Sequence, residues 1–340
     1  MGARALKVVI TGGAGFVGSQ LGQHLHRRGD EVVLLDNMSY GHVDNLLLDG
    51  RPFGRFICED VRTADLMAHF QGADAVVHLA GIAPLAVCQE EPGEAYSVNT
   101  AAVAEVLEAA RRAEVRRVVF SSTSAVYENN KSDPLSEDEA IAPDLIYAST
   151  KAAAELICEN YARLYGMDIV TCRFFNVYGP HQDVLRISPP FTSYIARELV
   201  LDRAPRLFNN SDARRDYVYV DDVVDLLVRM IEAGGRFAGE RFNASSGIGH
   251  SVPELYALFR QVSGKDIAPE YADPELYWNA YPRLFEGSRP LSRERIVKEV
   301  FKHAIGSPAK AREQFGWTAR TNVRDGIEAV YADTRRRLAA

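Results

Sequence analysis

The stretch Ile10-Thr11-Gly12-Gly13-Ala14-Gly15-Phe16-Val17-Gly18, ITGGAGFVG, places four glycines in seven residues near the start of the chain. Leu6–Thr11 before it is apolar throughout rather than alternating, the pattern of a strand buried on both faces of a parallel sheet. A helical pattern follows it through Arg28, and Gly29-Asp30 ends that pattern. Glycines between a strand and a helix let a backbone turn tightly and approach a pyrophosphate. In this reading Gly12 permits the turn, Gly15 admits the phosphates with Phe16 and Val17 beside it, and Gly18 lets the helix pack on the sheet. The helix start adds free N–H groups and the positive end of the helix dipole.

Working outward, the same beat recurs. Glu31–Asp36, Arg55–Cys58, Ala75–Leu79, Arg117–Ser121 and Asp168–Arg173 read as strands. Ala64–Phe70, Pro92–Ala113 and Tyr147–Tyr165 read as helices between them. Strand and helix alternating at this pitch predict an α/β fold, a doubly wound parallel sheet of Rossmann type with right-handed crossovers. After about residue 177 the rhythm breaks at Gly179-Pro180 and at the loop-like Ser188-Pro189-Pro190. Tyr217–Val220 returns to a strand and Val223–Glu232 to a helix. A smaller, discontinuous substrate-binding domain is expected, with residues 1–177 and 214–242 forming the cofactor domain and 178–213 and 243–335 forming the smaller one.

The chain has 340 residues, with 47% hydrophobic and 25% charged residues and a formal net charge of -7. No basic run stands out, so neither nucleic acid nor an anionic membrane is the expected partner. Cys58, Cys88, Cys158 and Cys172 are scattered, and His24 and His26 do not share a helical face, so no metal site or disulfide framework is indicated. No apolar run approaches the ~20 residues of a membrane span. No signal peptide precedes the first strand, so a cytoplasmic, reduced chain is expected.

Asp36 ends the second strand about 20 residues beyond the glycine turn, where a carboxylate binds ribose hydroxyls and repels a 2′-phosphate. No arginine directly follows it in Asp36-Asn37-Met38-Ser39-Tyr40-Gly41. NAD is therefore expected rather than NADP, with Asp60 and Val61 at the adenine edge. Tyr147 and Lys151 are four apart and so share a helical face. A free tyrosine titrates near ~10, and an adjacent ammonium together with a positive nicotinamide ring would favour its phenolate. By itself this spacing more often marks a surface Tyr and Lys on an amphipathic helix. The reactive reading is favoured by Phe120-Ser121-Ser122-Thr123 at the carboxyl end of a parallel strand, where ligands bind and where Thr123 can share a substrate oxygen with Tyr147.

With these residues the chain resembles the extended short-chain dehydrogenase/reductase family, in its branch of nucleotide-sugar epimerases, dehydratases and decarboxylases. The matching stretches are Thr11–Gly18, DNMSYG (36–41), Asp60-Val61, HLAG (78–81), Asn99, SSTSAVY (121–127), Tyr147–Lys151, RFFNVYGP (173–180), RDYVYVDD (215–222) and Phe315-Gly316-Trp317. The resemblance implies Thr123, Tyr147 and Lys151 as the catalytic triad, and Asn99 as the residue whose water supports Lys151. It implies Leu79, Ala80, Gly81 and Ser121 as part of the cofactor cleft. It also implies Asn176, Arg215 and Phe208 as contacts to the nucleotide-sugar substrate, and a homodimer packed through the helices 92–113 and 147–165. Members of that branch with a carboxylate one or two places after the threonine are dehydratases or decarboxylases. Here Ser124 and Ala125 follow Thr123, so NAD-dependent epimerisation at C4 of a nucleotide-diphosphate sugar is expected, UDP being the nucleotide. A dehydratase, a UDP-glucuronate decarboxylase and a non-catalytic NAD-binding protein are the alternatives. Two departures stand out. Glu128 follows Tyr127 where glycine is usual, and a stretch around Ser288–Ala304 has no counterpart of its length, leaving the second diphosphate arginine open among Arg289, Arg293 and Arg295. The position that carries a bulky residue beside the sugar falls near Ala304, so room for a 2-acetamido group is expected.

Overall fold

The computed structural model describes residues 4–186 and 189–339; Ser188 of the expected proline loop lies outside them. Its principal strands are β1 Lys7–Thr11, β2 Glu31–Leu35, β3 Arg55–Ile57, β4 Ala75–His78, β5 Arg117–Thr123, β6 Ile169–Phe174, β7 Asn176–Tyr178, β8 Arg214–Tyr219, β9 Arg241–Ala244 and β10 Gly249–Ser251. Its principal helices are α1 Phe16–Arg27, α2 Ala102–Arg112, α3 Ile146–Tyr165, α4 Phe191–Val200, α5 Val220–Glu232, α6 Val252–Ser263, α7 Arg293–Val300 and α8 Val323–Ala339.

Seven strands form one sheet in the order β9-β6-β5-β4-β1-β2-β3, and every neighbouring pair is parallel. The apolar runs explain the layering. Side chains alternate across a strand. Val8 and Ile10 therefore pack with Leu21 and Leu25 of α1 and Leu227 of α5, while Val9 packs on the opposite face with Val106 and Leu107 of α2 and Cys158 of α3. Both faces are covered by helices, as a parallel sheet requires. From β1 the chain adds β2 and β3 on one side, then crosses back to place β4 on the other. The crevice at the carboxyl ends of β1 and β4 is thus the point where strand order reverses, the place where such sheets bind ligands.

A second sheet, β10-β8-β7, stands beside the first, with Tyr217 of β8 paired to Asn176 of β7. Leu199 of α4, Phe259 of α6 and Val330 of α8 share its core. Two expectations are corrected here, and one strand is added to those expected. The strand expected at Tyr217–Val220 is β8, which pairs in this smaller sheet and not in the seven-stranded one. The strand β9, RFNA, escaped notice because it is short and half polar; it runs across the division drawn at 242/243. The helix expected over 92–113 is interrupted by a π turn at Ser97–Ala101, an insertion that often marks a functional position.

Candidate functional site

The reversal point opens into a cleft of about 680 Å³. Gly12 adopts φ 71°, and a Cβ there would stand 2.8 Å from the Ala80 amide nitrogen; only glycine fits. A Cβ on Gly18 would collide with the Gly12 carbonyl oxygen, so the second glycine sets how closely α1 approaches its own loop. Gly15 begins α1 without a side-chain cap, and no acidic residue occupies the first turn. The free amides and the dipole end are therefore open to an anion. Gly12, Gly15, Phe16, Val17, Leu79, Ala80 and Gly81 all line the cleft.

Asp36, Asn37, Asp60 and Val61 line its far end. The Asp36 carboxylate accepts the amide of Ala14 at 3.0 Å and that of Met38 at 2.8 Å, so it braces the glycine turn as well as facing the cleft. A carboxylate has about four lone-pair sites, which leaves acceptors for ribose hydroxyls. Burial raises the Asp36 pKa against those backbone hydrogen bonds. Asp60 is held in a fork by Arg62, at 2.9 and 2.8 Å, which pulls its pKa well below the usual carboxylate range. Asn37 donates to the same carboxylate at 2.9 Å. An uncapped helix start at one end and a buried carboxylate at the other fit a dinucleotide such as NAD.

Thr123, Ser121, Tyr147 and Lys151 line the opposite wall. The strand β5 ends on Thr123, whose hydroxyl oxygen accepts the Ala125 amide at 3.1 Å and which lines the same cleft as Tyr147. The Lys151 ammonium donates to the Ser121 carbonyl at 2.7 Å and sits 4.7 Å from the Phe120 ring centroid. Before NAD binds, burial dominates the electrostatics of this wall. Desolvation pushes Tyr147 up to about 12, opposed by the nearby Thr123 side chain. Desolvation likewise brings Lys151 down to about 8. The neighbouring His78 is brought down to about 3 by burial and by Lys151, so it stays neutral.

The π turn swings Asn99 inward. Its amide bonds the Ile82 backbone at both ends, 2.8 and 2.9 Å, and reaches Thr150 at 3.2 Å, which ties the loop after β4 to the helix carrying Lys151. A network not anticipated from the sequence lies behind this wall. Glu155, one turn beyond Lys151, accepts Ser122 at 2.5 Å and the Arg173 fork at 2.9 and 2.7 Å, and Arg173 also donates to Tyr127 at 2.6 Å. Its signal was the spacing of four from Lys151, which places a carboxylate on the catalytic face. Tyr40, His42, Ile82, His181 and Arg186 also line the cleft; as loop residues they have no periodicity to reveal them.

Of the expected substrate residues Thr123 lines the cleft, while Asn176, Arg215 and Phe208 lie outside this lining, the first two in the smaller sheet. Asn176 donates to the Asp216 carbonyl at 2.8 Å. Arg215 meets Glu299 of α7 at 3.4 Å, and Phe208 stands edge-on to Tyr277, 6.1 Å between centroids. Ala304 pairs with Arg215 in a bridge and is buried in the main core. The helix expected at Leu291–Ala304 is the shorter α7, since the chain turns out of it to make that bridge. Among the described residues no helix is long and apolar enough to cross a membrane.

A profile described as the NAD dependent epimerase/dehydratase family matches residues 8–245. The chain is 32% identical to the UDP-glucose 4-epimerase of Mycolicibacterium smegmatis over 328 residues, covering 95% of this chain and 96% of that one. A crystal structure of UDP-glucose 4-epimerase with UDP-glucose from Thermotoga maritima superposes with a TM-score of 0.85 at 28% identity, covering 98% and 100% of the two chains. The UDP-N-acetylglucosamine 4-epimerase of Methanobrevibacter ruminantium, in complex with UDP-N-acetylmuramic acid, gives 0.86 at 25% identity and the same coverage.

Proposed function

Since the chain belongs to the NAD dependent epimerase/dehydratase family, its cofactor is NAD, and we propose that it inverts C4 of a UDP-sugar through a 4-keto intermediate. The observation that carries this reading is the meeting of Thr123, Tyr147 and Lys151 on one wall of the glycine-turn cleft, with Ser124 and Ala125 where a second acid or base would stand. The named relatives support it, since each acts at C4. Because those relatives differ in their sugar, the sugar itself stays at the level of a UDP-hexose.

Gly12, Gly15, Phe16 and Val17 would hold the pyrophosphate, and Asp36 the ribose. When bound, NAD supplies a hydride acceptor and donor at C4 and the positive charge that a phenolate needs. Tyr147 takes the proton from the C4 hydroxyl and later returns it, while Thr123 orients the same oxygen. Lys151 keeps an ammonium within the wall and fixes Ser121. No carboxylate beside Thr123 is placed to take the C5 proton, so C5 is left intact. In this proposal the seven-stranded sheet and its helices serve the cofactor, and the smaller sheet with α4, α6 and α8 serves the nucleotide sugar, with Asn176 and Arg215 on the diphosphate and Phe208 by the base. Exposed Leu156, Leu164 and Tyr165 on α3 support a homodimer, which the mass of the protein in solution tests.

Turnover in heavy water tests the reaction. A C4 epimer carrying no deuterium on carbon is expected, and a sugar deuterated at C4 keeps its label there. Deuterium at C5 or a label moved to C6 would mark a dehydratase. Carbon dioxide released from a glucuronate would mark a decarboxylase.

A further inference from the structure

The two departures from the family pattern are partners in space. Glu128 is 4% exposed, and its Oε2 accepts the amides of Asp144 at 2.6 Å and Leu145 at 2.8 Å. Leu145 is the residue that starts α3, and Tyr147 follows two places on. Arg295, in the added helix α7, reaches Glu128 Oε2 at 3.3 Å and Asp144 Oδ2 at 2.5 Å. The loop after β5 and the added helix therefore grip one point, the start of the helix that carries Tyr147 and Lys151.

The grip continues to the substrate side. Glu299, one turn beyond Arg295 at 3.9 Å, accepts from Arg215 through its backbone carbonyl and lies 3.4 Å away through its carboxylate. Apolar packing holds α7 in place, for Ile296 shares a cluster with Leu145 and Ala86, along with Trp278 and Leu284. The charged contacts are pairs rather than aligned forks. Arg295 Nε and Nη2, Glu128 Oε1 and Glu299 Oε2 are buried without a hydrogen-bond partner. A buried pair with loose ends adds little stability over an apolar packing.

We propose that Glu128 and Arg295 are a positioning pair that sets the start of α3, and with it the reach of Tyr147 toward the sugar C4 oxygen. This inference rests on Tyr147 as the proton carrier. The pair ties α3 to Arg215 through Glu299, so the reactive helix and the substrate side of the site move as one body. A displacement of about 1 Å at the reacting oxygen is enough to cost about 10²-fold in rate.

The test uses Glu128→Gln, Arg295→Met, the double variant and Arg295→Lys in the NAD-loaded protein. Glutamine still accepts the Asp144 and Leu145 amides but loses the charge that faces Arg295, so it separates the pair from a helix cap. Each single variant is expected to lose about 10–100-fold in kcat with NAD content unchanged, and Glu128→Gln, which leaves the Arg295–Glu299–Arg215 contacts in place, should also keep the KM for the UDP-sugar. The double variant should lose no more than the worse single one, and Arg295→Lys should recover part of the rate. Unchanged kcat in Glu128→Gln, or losses that multiply in the double variant, would overturn the pair. If the unmodified protein turns over no UDP-sugar, the proposed function fails, and hydrogen exchange then decides the pair by itself. Arg295→Met should speed amide exchange over residues 144–151 without altering β6; equal exchange there would overturn it.

Discussion

The ammonium of Lys151 donates to the main-chain carbonyl of Ser121, 2.7 Å away. One hydrogen bond thus ties the helix that carries Tyr147 to the strand end that carries Thr123. Ser122, between those two strand residues, is held from behind by Glu155, so the reactive wall is fixed on both sides before any ligand arrives.

Replacing Tyr147 by phenylalanine deletes the hydroxyl and keeps the ring. Turnover should fall by roughly 10²–10⁴-fold, the usual worth of a general acid–base group. NAD content and melting temperature should stay close to those of the parent, because the ring still fills its place. A Tyr147→Phe protein that turns over at near-normal rate would remove Tyr147 from the mechanism.

Lys151 gives a signed pH effect. Its ordinary pKa of 10.5 is brought down to about 8 by burial. Between these values the unfolded chain binds the proton and the folded one does not, so stability rises as pH climbs from 8 to 10.5. Below pH 8 both states are protonated and the full burial penalty, roughly 3 kcal/mol, is present. Lys151→Met should therefore compare more favourably with the parent at pH 7 than at pH 10 in urea unfolding. In the parent, kcat should fall on the alkaline side with a midpoint near 8. A stability difference that does not change between the two pH values would contradict the burial of a charged Lys151.

Asp36 should control the cofactor. The NAD affinity of Asp36→Ala is expected to fall roughly 10–100-fold, since hydrogen bonds to a charged group are worth about 1.5–3 kcal/mol. The parent should bind NADP at least tenfold more weakly than NAD. Calorimetry with both dinucleotides measures each quantity, and equal affinities in the parent would contradict the assignment.

The Glu155–Arg173 pair should matter through imbalance. Arg173 is fully buried, so Glu155→Ala leaves a guanidinium without its carboxylate and should cost about 3–5 kcal/mol. Replacing both, Glu155→Met with Arg173→Leu, should cost clearly less than Glu155→Ala. Denaturant unfolding of the three proteins distinguishes this from simple additivity.

Local sequence determined a great deal here. Apolar runs and glycine spacing required the parallel sheet, the sharp turn at Gly12 and the uncapped start of α1, because these depend on residues close together in the chain. Spacing of four placed Tyr147 with Lys151, and it also held the unread sign of Glu155. What only the tertiary structure decided are the effects of distant neighbours. Burial raises the Tyr147 phenol and lowers the Lys151 ammonium, and no local pattern reports how much water reaches a side chain. The short strand β9 exists because β6 offers it an edge. Glu128 and Arg295 lie far apart in sequence and looked like unrelated departures. They became a pair only because the fold brings α7 onto the start of α3, and contacts of that kind are set by packing that periodicity does not encode.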